Sequence, residues 1–192
     1  MFRGNRPLRP IRRALRNALG VPFAPIVRRQ IFEANQLLQS GQYVQAGDAF
    51  SGLASQAKEN GHPRRAANLN TQAAHAYIDG KNENLALTQS RSALTLFQQL
   101  GMVDRAAQFW RNIQNHLQRA GMSSALASLR QEFGSKIDLT PLQKPVAPSP
   151  AKQGHLPAQC PGCGAPVRTD EVEWVDEQSA ECPFCGSILI SE

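Results

Sequence analysis

Long apolar runs are missing from this chain. The longest uncharged stretch near its start, Asn17 to Val27, has eleven residues and carries Pro22 and Pro25. About 20 apolar residues are needed to cross a bilayer, so no membrane-spanning helix is expected. The same prolines spoil a signal-peptide apolar region, no small-residue cleavage site follows, and the absence of Ser and Thr before Ser40 weighs against a mitochondrial presequence. Catalytic signatures are missing too: there is no phosphate-cradling glycine loop, no nucleophile elbow and no His-Glu-x-x-His helix. Glu59-Asn-Gly-His62 has the spacing of half a di-iron site, but it straddles an expected helix end and has no second copy. His75 and His116 stand alone on expected helices. The chain is therefore not expected to be an enzyme.

Cysteine is absent from the first 159 residues. All four cysteines lie in the last 33 residues, as Cys160-Pro-Gly-Cys163-Gly and Cys182-Pro-Phe-Cys185-Gly. Each Cys-x-x-Cys pair can offer two thiolates to one ion, and two pairs complete a tetrahedral sulfur shell. The signature resembles a zinc ribbon, which implies Cys160, Cys163, Cys182 and Cys185 as ligands of a structural Zn2+. Iron in a rubredoxin-like site is the alternative, and a redox dithiol is a weaker one. Four thiolates leave no site for water or substrate, and so short a segment needs the ion to fold. Val172, Trp174, Ile188 and Ile190 are expected on hairpin strands, with Trp174 packed beside the metal. His155 is read as a spacer residue. Metal-bound thiols fit a reducing cytoplasm better than a secretory route.

Proline is also scarce where helices are expected: between Gly41 and Gly121 only Pro63 occurs, directly after a short glycine turn. Gly41, Gly61, Gly80, Gly101 and Gly121 recur at intervals of 19 to 21 residues, and the segments between them have helix-spaced apolar residues. Each glycine is expected as the left-handed cap of a helix of about four turns. A plain helical bundle is the alternative to a repeat. The segments Leu37–Phe50 (with Gly41 and Tyr43), Ala76–Ala86 (with Gly80) and Gln118–Leu126 (with Gly121) resemble tetratricopeptide repeats over about residues 27–134. The first-helix tryptophan of that family is missing, and the third unit lacks the turn tyrosine.

The resemblance implies a mainly α fold, an antiparallel helical-hairpin solenoid of about three helix pairs followed by a small β zinc ribbon. It also implies a groove for a protein or peptide segment, with Arg28, Asn35, Asn70, Arg111, Asn115 and Arg119 as candidate partner-binding residues. A solvated helix face is the competing reading of the same residues. Phe50, Leu53, Leu85, Leu94, Phe97 and Trp110 are expected in the core.

Acidic residues are absent from residues 1–32, which hold eight arginines, whereas residues 140–192 hold three bases and seven acids. The net charge of +6 is thus a property of one short segment. Between Pro10 and Gly20 a short helix is expected, with Leu8, Ile11, Leu15 and Leu19 on one face. Arg9, Arg12, Arg13 and Arg16 beside it are candidates for an anionic membrane surface, for docking, or for nucleic acid. The acidic ribbon should repel phosphate. Pro141, Pro145, Pro148, Pro150 and Pro157 mark a semi-stiff spacer that should leave the ribbon separately mobile, although opposite charge could bring the ribbon back onto the arginines or the groove.

The expected organisation is a basic segment at 1–26, helical repeats at 27–138, a spacer at 139–158 and a ribbon at 159–192. The function expected of it is a non-catalytic protein–protein interaction adaptor, cytoplasmic or peripheral at a membrane. A nucleic-acid-associated factor and an iron electron carrier remain as rivals.

Overall fold

A computed structural model describes residues 25–137, 155–169, 172–174, 178–185 and 187–191. The arginine segment and most of the proline-rich stretch lie outside the described residues. Among the described residues six helices succeed one another as α1 (Pro25–Gln39), α2 (Tyr43–Glu59), α3 (Pro63–Asp79), α4 (Glu83–Gln99), α5 (Val103–Ala120) and α6 (Ser123–Phe133). Among the described residues no helix is long and apolar enough to cross a membrane.

The glycine rhythm sets these lengths. Gly41, Gly61, Gly101 and Gly121 adopt left-handed φ of 65–78°. After each, the next amide bonds back to the final turn, as Gln42 N does to Leu37 O at 2.9 Å and Met102 N to Phe97 O at 2.9 Å. Gly80 departs from the expectation. Its φ is −77°, and Lys81 takes the left-handed position at +57° instead. A Cβ on Gly80 would lie 2.9 Å from Val44 Cγ2 and 3.2 Å from the Val44 backbone nitrogen. Glycine is needed there for close approach of two helical pairs, and the strain moves to Lys81, where it costs about 1 kcal/mol.

Consecutive helices pack against each other, and α3 also meets α5 as α4 meets α6. That two-apart contact is what stacked hairpins give. The stacking has a fixed register, because His75–His116, Glu83–Ser124 and Arg91–Glu132 are each bonded across 41 residues. Phe50, Leu53, Leu94, Phe97 and Trp110 are buried as expected, and Leu85 is half-buried. Buried Ala66, Ala67, Ala73, Ala74 and Ala76 let α3 approach its neighbours closely.

The C-terminal part forms a three-stranded antiparallel sheet in the order β1 (Glu173–Trp174), β2 (Ser179–Glu181), β3 (Ile188–Ile190). Trp174 pairs with Ala180 and Ala180 with Leu189, which places these three on one face. Leu189 is buried, whereas Ile188 and Ile190 are exposed, so β3 turns its leucine rather than its isoleucines inward. Trp174 is half-buried on that inner face.

Candidate metal centre and docking face

The first knuckle is built by a tight turn. Gly164 N donates to Cys160 O at 2.8 Å, Cys160 N donates to Ala165 O at 2.8 Å, and Gly164 adopts φ +71°. The second repeats the plan, with Cys182 N donating to Ser187 O at 2.9 Å. The knuckles meet closely, since a Cβ on Gly162 would come within 2.6 Å of Ser187 Oγ. A side chain at position 162 would have to displace the Ser187 hydroxyl.

This brings four sulfurs together. Cys160 Sγ lies 3.7 Å from Cys185 Sγ, Cys163 Sγ lies 3.9 Å from Cys182 Sγ, and all four fall within 4.8 Å of one another. A tetrahedral ion with bonds of about 2.3 Å to sulfur needs edges of about 3.8 Å, so the cage fits such an ion. The separations are far too long for disulfides, and all four cysteines are free and buried. The shared hydrogen bonds from Cys160 first, together with burial, push the Cys163 and Cys182 thiols up. Hydrogen bonds from Cys163 first lower the Cys160 thiol to about 7. Four thiols this close cannot all ionise without a cation among them. With one they can, and the four cysteines could hold a metal ion.

The ribbon does not stand apart, as the spacer composition led us to expect. It rests on one face of the helices. Asn35 Nδ2 on α1 donates to Cys163 O at 3.1 Å, and Asn68 Nδ2 on α3 donates to Pro183 O at 3.1 Å. Each knuckle thus has one backbone carbonyl held by an asparagine amide. Arg65 on α3 lies 3.8 Å from Glu181. Burial lowers the Arg65 pKa, an effect opposed by Glu181 and by the sulfurs of Cys185 and Cys182. Phe32 packs where Gly164 has no side chain, 3.1 Å from the position of a Cβ. A cavity of about 280 Å³ remains between α3, α5 and the ribbon, bordered by His75, Phe97, Phe109, Arg105, Arg168 and Phe184.

The residues expected at a partner-binding groove divide in two. Asn35 and Asn70 are buried and Arg28 is half-buried, while Arg111, Asn115 and Arg119 form an exposed stripe along α5. Arg9, Arg12, Arg13 and Arg16 lie outside the described residues. Sequence reasoning missed Arg65, Asn68 and Phe184. An aromatic in the middle of a Cys-Pro-Phe-Cys knuckle was the available signal, because it cannot be buried within so small a ribbon and needs an outside cover.

It also missed a histidine pair. His75 Nδ1 and His116 Nδ1 are 2.8 Å apart, and His116 Nε2 is 2.9 Å from Asp79 Oδ1. With Asp79 accepting from His116 Nε2–H, the neutral pair requires His75 Nδ1–H to donate to His116 Nδ1. Burial first, then His116 and Arg168, lower the His75 pKa to about 4.

Similarity to known proteins is confined to the helices. Neither the curated proteins nor the solved structures gave a match. The family model described as soluble NSF attachment protein, SNAP, matches residues 33–132, just over half of the chain and nearly the whole helical array. The matched region is the TPR-like hairpin fold described above, a fold of the protein-interaction type. The chain belongs to the soluble NSF attachment protein family.

Proposed function

We propose that this protein is a non-catalytic protein–protein interaction adaptor. Its SNAP-family array offers a binding face, and a zinc ion held by Cys160, Cys163, Cys182 and Cys185 builds the C-terminal ribbon. The observation that carries this reading is the family match over an array whose hairpins stack in register. A four-sulfur cage supports a structural rather than catalytic ion, because it leaves no coordination position open. Zinc suits four thiolates in tetrahedral geometry without redox chemistry.

The α5 stripe of Arg111, Asn115 and Arg119 supplies an exposed basic approach to the face. An acidic protein segment suits it, through paired donors on each guanidinium. The test is cross-linking with mass spectrometry on the immobilised full chain, compared with Arg111→Glu/Arg119→Glu. The adaptor reading expects a defined set of proteins cross-linked near α5 and lost in the variant. An identical set from both chains, or none from either, would remove it.

A further inference from the structure

The α1–α3–α5 face already carries a ligand. Two asparagine amides receive two main-chain carbonyls, Cys163 O and Pro183 O, one from each metal knuckle. Phe184 is buried at the mouth of the cavity that Phe97 and Phe109 also line. Glu181, three residues before it, faces Arg65. A tight turn, an aromatic side chain and an acid are what a bound protein segment would present.

The two carbonyls sit on separate knuckles, which the sulfur cage draws together. Cys163 and Cys182 come from separate knuckles, and their sulfurs meet at 3.9 Å. A segment with so few apolar residues does not hold that shape without an ion. We propose that the ribbon is the resident ligand of this face, docked only while its metal is bound. Loss of the ion then uncovers the face for a protein segment of the same chemistry, a tight turn carrying an aromatic residue preceded by an acid. This inference rests on the adaptor reading for its partner, but not for the docking itself.

Docking and metal binding are then reciprocal. Whatever the ribbon gains from the helices appears in its affinity for the ion, so residues that never touch the metal must tune it. Asn68→Ala and Phe184→Ala should each weaken metal affinity by about tenfold, as expected when a partner of a buried contact is removed.

The experiment uses the full chain, zinc-loaded or stripped with a chelator, beside zinc-loaded Phe184→Ala and Asn68→Ala. Small-angle scattering reads the size and mass. A labelled cyclic hexapeptide, Glu-Ser-Pro-Phe-Ser-Gly, copies residues 181–186 with serine for both cysteines and probes the face. The expected result is a larger radius of gyration at unchanged mass after chelation and in Phe184→Ala. The peptide should bind these open forms at least tenfold more tightly than the zinc-loaded parent. An unchanged radius in every form, or equal peptide affinity for open and closed chains, overturns the proposal. A doubled mass in the zinc-loaded state would assign the docked ribbon to a second copy and overturn it as well. If the chain opens and takes the peptide, yet cross-linking finds no cellular protein, the adaptor reading fails and metal-dependent docking stands.

Discussion

Asn35 and Cys163, 128 residues apart, are joined by a single nitrogen: Asn35 Nδ2 donates to Cys163 O at 3.1 Å and to Ile31 O of its own helix at 2.9 Å. The side chain is buried, so its second partner cannot be replaced by water without moving the ribbon. Asn35→Ala should cost about 1 kcal/mol. Asn35→Asp should cost about 2 kcal/mol or more, since a carboxylate would face two carbonyl oxygens without a proton to offer. Thermal unfolding of the two zinc-loaded variants checks the order. If Asp were tolerated as well as Ala, the contact would carry no weight.

Gly47 and Gly52 lie on the same helix and should respond oppositely to a methyl group. A Cβ at Gly47 would fall 2.6–2.8 Å from three ring atoms of Tyr77, whose hydroxyl donates to Asp48 at 2.6 Å. The ring is held at both ends, so Gly47→Ala should destabilise by about 1–3 kcal/mol. Nothing lies within 4 Å of a Cβ at Gly52. Gly52→Ala should therefore stabilise by up to about 1 kcal/mol through helix propensity. Urea unfolding monitored by helicity measures both.

Acid should weaken the array through His75. Its folded pKa of about 4 lies below the value near 6.5 of an exposed histidine. Between those values the unfolded chain binds a proton that the folded chain refuses. The stability contributed by neutral His75 is thus fully present above about pH 6.5 and is lost as pH falls toward 4, to a limit of about 3 kcal/mol. His116, Asp79 and Arg168 surround the group, so His75→Gln, which leaves all three in place, is the reference. The parent should lose more stability than the variant from about pH 7 to pH 5. Parallel losses would contradict the assignment.

Cys160→Ser removes one ligand from the cage. The ribbon should unfold while far-ultraviolet dichroism keeps nearly all its helical signal, because most of the buried apolar side chains, from Ile31 to Phe133, belong to α1 to α6. Collapse of helicity in this variant would mean that the ribbon completes the helical core rather than resting on it.

Much of this was legible in the sequence, for physical reasons that differ by element. Helix ends were legible because a left-handed residue after the last turn favours glycine, and four of the five marked glycines take that role. Gly80 was misread because a glycine needed for close approach to Val44 looks the same in sequence as a capping glycine. The cysteine cage was legible because two thiolates from each knuckle have a fixed local spacing. Docking was not, since the bonds from Asn35 and Asn68 join residues more than a hundred positions apart across a proline-rich stretch. The His75–His116 contact could have been found. A two-helix period near 40 residues puts positions 41 apart side by side, and this pair has that separation.

The most direct measurement is the metal content of the purified full chain by plasma mass spectrometry, with cobalt substitution read by absorption. The account predicts one zinc per chain, and a cobalt form with thiolate charge-transfer and tetrahedral ligand-field bands that disappear in Cys160→Ser. A chain that retains no stoichiometric metal, or whose four cysteines are recovered as disulfides, would contradict it.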